Sequence, residues 1–131
     1  MKKNDIKQKV SFNASAHDVY EALMDSKKHA KFTGGPAKIS RKIGGKFSVY
    51  DGYAAGKNLE LMPDEKIVQT WRASDWDEED ISEISFTFTP TKTGCTVIFT
   101  QKNVPSKHLS AIKQGWIDYY WMPMKKMLEI H

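Results

Sequence analysis

The chain has 131 residues, 40% of them hydrophobic and 27% charged, with a formal net charge of +4. That size suits one domain around one core, taken here as residues 1–131. The single cysteine excludes an internal disulfide and a Cys-rich metal site, and no apolar run approaches the ~20 residues of a membrane-spanning helix.

The opening MKKNDIKQKV is basic with no apolar segment of signal-peptide length behind it, and reads as the start of the mature fold. In DIKQKVSF, Ile6, Gln8, Val10 and Phe12 share one face and Lys7, Lys9 and Ser11 the other, which predicts a half-buried strand. Ser15 then stands as an N-cap with Asp18 three residues on, and Val19, Tyr20, Leu23 and Met24 follow at helical spacing. SKKHAKF predicts another turn or two of helix before TGGP breaks it. Strands and turns follow. AKIS and GKFSVYDG flank the IGG turn, and AAGKNLELM ends in the tight turn MPDEK. KIVQTWRAS places Ile67, Gln69 and Trp71 on one face. The acidic DWDEED reads as a solvated loop. ISEISFTFT alternates, with Ile84, Phe86 and Phe88 inward, and TKTG turns the chain into CTVIFTQKNV. Short turns imply antiparallel neighbours, and the Ser- and Thr-rich outer faces imply a sheet with one wet side.

The dry side needs a cover, and the segment from Ser106 to Ile130 supplies it. Ser106 is the expected N-cap. On a wheel of ~100° per residue, Leu109, Ile112, Trp116, Tyr119, Tyr120, Pro123, Met127 and Ile130 share one face. Ile117, Met124 and Leu128 widen the stripe, and Trp121 falls at its margin. Asp118, Met122, Lys125 and Lys126 face outward. Pro123 removes an amide and crowds the Tyr119 carbonyl, which predicts a bend or local break near Tyr119–Pro123. The order of elements is that of an α+β layer architecture.

The stretches IGGKFSVYDG, LELMPDEKIVQTWR with its following DW, SEISFTFT, and NVP before QGWIDYYWMPMKKML resemble the START-like (SRPBCC), helix-grip superfamily. More narrowly, they resemble the C-terminal domain of Aha1, the activator of Hsp90 ATPase. The resemblance covers nearly the whole chain. It implies a curved antiparallel sheet of six to seven strands wrapped around a long C-terminal helix, with two short helices after the first strand. It also implies an Hsp90-type chaperone as partner, in a co-chaperone or ATPase-stimulating role in the stress response. Full-length Aha1 has a further N-terminal domain that contacts Hsp90, to which nothing in these residues corresponds.

Signatures of catalysis are missing. TGGP and IGGK are hairpin-type glycines rather than phosphate loops, and there is no HExxH, CxxC or GxSxG. His17, His29, His108 and His131 have no His or Cys at metal-ligand spacing and read as solvated imidazoles. Cys95 reads as a small buried hydrophobe. No enzyme, metal or cofactor is expected. The mild positive charge favours an acidic partner by long-range steering, but the basic residues are spread out and no RNA-binding motif appears. Neither nucleic acid nor membrane is therefore an expected partner, and a reducing, cytoplasmic setting fits the lone cysteine.

Two functions remain. As an Hsp90-binding module, the chain would present Arg41, Lys42 and Lys46 around the IGG turn and Lys125 and Lys126 on the last helix; the alternative is that these are ordinary solubilising cations. As a START-like carrier of a small hydrophobic ligand, it would use Trp71, Phe86, Phe88 and Phe99 from the sheet and Trp116, Tyr119 and Tyr120 from the helix. Gln69, Gln101 and the tyrosine hydroxyls would add polar contacts. The alternative is that these rings fill the space themselves.

Overall fold

A computed structural model describes residues 3–129; Ile130, expected in the core, and His131, expected in solvent, lie outside them. Strand β1 (Lys3–Phe12) leads into helices α1 (Ala16–Met24) and α2 (Ser26–Thr33). The Ser15 hydroxyl caps α1 by accepting from the Asp18 amide at 3.1 Å. Asp25 caps α2 by accepting from the Lys28 amide at 3.0 Å. Six more strands follow: β2 (Lys38–Ile39), β3 (Lys46–Val49), β4 (Ala54–Met62), β5 (Lys66–Ala73), β6 (Ser82–Pro90) and β7 (Cys95–Pro105). They form one antiparallel sheet in the order β1-β7-β6-β5-β4-β3-β2.

The alternation read in the sequence sets the faces. Ile6, Phe12, Ile67, Trp71, Ile84, Phe86, Phe88, Val97 and Phe99 are buried on the inner side. A 3-10 turn (Ser106–His108), helix α3 (Leu109–Trp116), a π turn (Ile117–Trp121) and helix α4 (Met122–Leu128) then complete the chain. This is the α+β helix-grip arrangement. The residue preceding the 3-10 turn is Pro105 rather than the expected Ser106, and the Ser106 hydroxyl accepts from Asn4 Nδ2 at 2.9 Å, tying the start of the last segment to β1.

The π turn corrects the wheel. The break expected near Pro123 is a stretch in which the Met122 amide reaches back to the Ile117 carbonyl. A turn closed over five residues winds more of them into each revolution, so each advances by less than the α-helical ~100°. Tyr119 therefore lags out of the core, 59% exposed, while Trp121 swings in to 3%. Ile117, at 38%, is also outside. Pro123 has no amide for the Tyr119 carbonyl, which accepts instead from the Tyr50 hydroxyl at 2.9 Å. Tyr50→Phe removes that donor. We expect a loss of about 1 kcal/mol, read as a lower urea midpoint at unchanged slope; an unchanged midpoint would show that water replaces the bond.

The DWDEED loop is not simply solvated. Trp76 and Asp80 are buried. Arg72, on β5, donates to the Trp76 carbonyl at 2.8 Å and the Asp77 carbonyl at 3.1 Å, and so holds the loop down. The Trp76 ring lies 5.4 Å from Trp71 and stacks on His108 at 5.9 Å, so His108 is half-buried rather than free in solvent.

Candidate ligand cleft and partner surface

The interior between sheet and last helix is filled by rings. Trp116 is the hub, its ring 4.4 Å from Phe99, 4.5 Å from Tyr120 and 5.9 Å from Trp71. Its indole N–H donates to Gln101 Oε1 at 2.8 Å, Gln101 Nε2 donates to Ser82 Oγ at 3.0 Å, and Ser82 donates to the Trp71 carbonyl at 2.6 Å. Gln69 is likewise committed, donating to Asn58 Oδ1 at 2.9 Å. Neither glutamine is thus left to orient a ligand. Trp121 donates to Gln8 Oε1 at 2.7 Å, which explains a glutamine on the inner face of β1.

A void of about 20 Å³ lies inside, touched by Phe86, Trp71, Trp116 and Tyr120. His29 lies on its wall. It is 4% exposed, which corrects its reading as a solvated imidazole. The Leu23 carbonyl, 3.1 Å from Nδ1, can only accept, so Nδ1 carries the proton. Nε2 then accepts from the Tyr120 hydroxyl at 2.9 Å. Burial lowers the His29 pKa to about 4 and raises the Tyr120 phenol well above its ordinary value. Both groups are held neutral. No local signal in KKHAKF points to this pairing, because its partner is 91 residues away.

The larger space opens at the side. A cleft of about 630 Å³ lies between α3, the π turn and the β3–β4 connection. Trp71, Trp116, Tyr119 and Tyr120 line it, with Tyr50 and Tyr53, which sequence reasoning missed. Phe88 and Phe99 touch neither cavity; they pack on Tyr20 and on Trp116 and Trp121. Two sequence features open this cleft. Gly115 lies on its wall in mid-helix, where a Cβ would meet only Tyr119 Cδ2 at 3.8 Å. Tyr50, Asp51 and Gly52 all have positive φ, at 51°, 54° and 89°, a strained turn that carries Tyr50 toward the helix.

The expected partner residues divide. Asn58, at a β-bulge of β4, donates to the Ser40 and Lys42 carbonyls at 2.8 and 3.0 Å and fixes the loop that holds Arg41 and Lys42. Arg41 is committed to Glu21 of α1 at 2.5 Å. Lys42 is exposed, and Lys46 stands exposed directly opposite Lys57 across β3 and β4. Lys125 lies over the Phe12 ring at 5.9 Å, and Lys126 is exposed. Among the described residues, no three His, Cys, Asp or Glu side chains gather as metal ligands, and no helix is long and apolar enough to cross a membrane.

A model of the family described as Activator of Hsp90 ATPase homolog 1-like protein matches residues 13–129. The chain belongs to this family. Family relatives include an uncharacterized protein of Schizosaccharomyces pombe, 33% identical over 92% of this chain and 36% of its own. The Activator of 90 kDa heat shock protein ATPase homolog of Dictyostelium discoideum is 33% identical over 85% of this chain and 29% of its own. The chain thus spans about a third of the length of the curated relatives it matches. Among solved structures, an HSP90 activator from Plasmodium falciparum superposes with a TM-score of 0.89 at 25% identity, over 95% of this chain and 96% of that one. The Aha1 dimer from Colwellia psychrerythraea, with a TM-score of 0.84 at 19% identity over 97% of each chain, shares the fold.

Proposed function

We propose that this chain is a non-enzymatic interaction module that engages an Hsp90-type chaperone in the cytoplasm and alters its ATPase cycle. The observation that carries this reading is the family match across residues 13–129. The likeness to a solved HSP90 activator supports it, because that likeness spans 96% of the activator's solved chain. The non-enzymatic part rests on a buried acid–base pair near a cavity. His29 and Tyr120 satisfy each other in their neutral forms, and neither titrates near neutral pH. The exposed Lys42 and Lys46 would steer an acidic chaperone surface. Calorimetric titration against an Hsp90 from the same cell tests the proposal. Heat of binding and a change in ATP turnover are expected, with Lys42→Glu/Lys46→Glu weakening association most at low salt. No heat and unchanged turnover would sink it.

The cleft favours a second reading, a holder of a small hydrophobic ligand. Its volume of about 630 Å³ falls in the range of small-molecule sites, and aromatic rings make up much of its wall. Its place differs from the one expected: the ligand would lie beside the helix rather than within the filled sheet–helix interior.

A further inference from the structure

The cleft has a charge sign. The chain carries 20 Lys and Arg against 16 Asp and Glu, yet among the described residues no Lys or Arg lines the cleft, and the charged lining residue is Asp118. The Asp118 carboxylate is oriented by Gln114, whose Nε2 donates to Oδ1 at 3.0 Å. Tyr53 of the lining also feels a carboxylate: burial first, and the charge of Asp75 second, push its phenol up. The lining is rich in aromatic rings, whose faces are electron-rich. Tyr50 meets Tyr119 and Tyr120 edge to face, each at 6.0 Å, and Tyr53 meets Trp71 at 6.4 Å. Ring faces and a carboxylate attract organic cations and repel carboxylates.

We infer that the cleft is a site for a small aromatic amine, bound as the ammonium, with its ring among Tyr50, Tyr53, Tyr119 and Trp116 and its charge toward Asp118. This rests on the ligand-holding reading and adds the sign of the ligand. An anionic ligand such as a fatty acid would meet Asp118 with no cation in the lining to offset it. Gly115 supports a functional cleft independently. A glycine inside α3 costs about 1 kcal/mol of helix stability relative to alanine, and no contact in the fold requires it, since a Cβ there meets only the Tyr119 ring edge at an ordinary 3.8 Å. What the missing side chain leaves open is the cleft.

Three probes of one shape test the inference on the full chain by calorimetry at pH 7 and low salt: 2-naphthylmethylamine, 2-naphthylmethanol and 2-naphthoate. The amine is expected to bind about tenfold tighter than the acid, with the alcohol between. Asp118→Asn should cut the advantage of amine over alcohol by about two- to fivefold and leave the alcohol unchanged, as fits an exposed carboxylate. Gly115→Leu, which fills the cleft from a position that tolerates a Cβ, should abolish binding of all three while urea unfolding confirms a folded chain. Naphthoate binding as tightly as the amine overturns the charge assignment and leaves the ligand-holding reading standing. Absence of binding by every probe at millimolar concentration, or binding that survives Gly115→Leu, overturns both.

Discussion

Trp116→Ala should cost about 4–8 kcal/mol of unfolding free energy, most of what a domain of this size has to lose. Two effects combine. Removing a large buried ring costs ~3–5 kcal/mol in transfer and cavity energy, and this ring touches Phe99 and Trp71 across the sheet–helix interface and Tyr120 in the next turn of its own segment. The change also strips Gln101 Oε1 of its donor, in a side chain that is 0% exposed, and an orphaned buried acceptor costs ~1–3 kcal/mol. Trp116→Phe isolates the second effect and should cost about 2 kcal/mol. Adding Gln101→Leu should recover part of that loss, because it removes the orphan itself. Chemical denaturation of the four proteins decides the matter. A loss below about 2 kcal/mol for Trp116→Ala would mean that the helix is held elsewhere.

Acidification from pH 6.5 to 4 should cost about 3 kcal/mol through His29 alone. Its pKa falls from 6.5 in the unfolded chain to about 4 in the fold, because burial disfavours the charged ring. Above pH 6.5 the ring is neutral in both states and contributes no pH dependence. As pH falls below 6.5, the unfolded chain takes up a proton that the fold refuses, and stability drops by about 1.4 kcal/mol per pH unit. The slope flattens once pH passes below the folded value. Carboxylates add their own acid dependence, so the readout is a comparison. His29→Gln, which can still accept from Tyr120, should lose markedly less stability than the natural chain between pH 6.5 and 4.5. Parallel curves for the two would remove His29 as the cause.

Much of the fold is legible in the sequence because strand periodicity is local. Ile84, Phe86 and Phe88 alternate with Ser85, Thr87 and Thr89, and the inward set is the buried set. The same logic fails where geometry departs from a constant angle. Pro123 announced a break in the last helix, but a proline does not say whether the turn tightens, bends or widens. The π turn widened it, and so exchanged the places of Tyr119 and Trp121. His29 and Trp76 failed for another reason. Both sit among charged neighbours that read as solvent-facing, and their burial involves rings far along the chain, Tyr120 for one and His108 for the other. The cleft left two faint marks, Gly115 within a helical pattern and YDG after a strand. Neither reveals what faces it until the chain is folded.

The place of β1 in the sheet sets the timetable of folding. Among the described residues it is an edge strand whose neighbour in the sheet is β7, with Phe12 opposite Cys95 and Lys3 opposite Pro105. On a ribosome adding ~5–20 residues per second, the first strand made waits roughly 5–20 s for its partner to emerge. During that interval it is an unpaired ribbon with an apolar side, the kind of segment that seeks other chains. Lys7 and Lys9, exposed along its other side, repel a second copy throughout the wait. Their use is greatest before the native structure exists, and replacing them should lower the yield of soluble chain more than it lowers the stability of what has already folded.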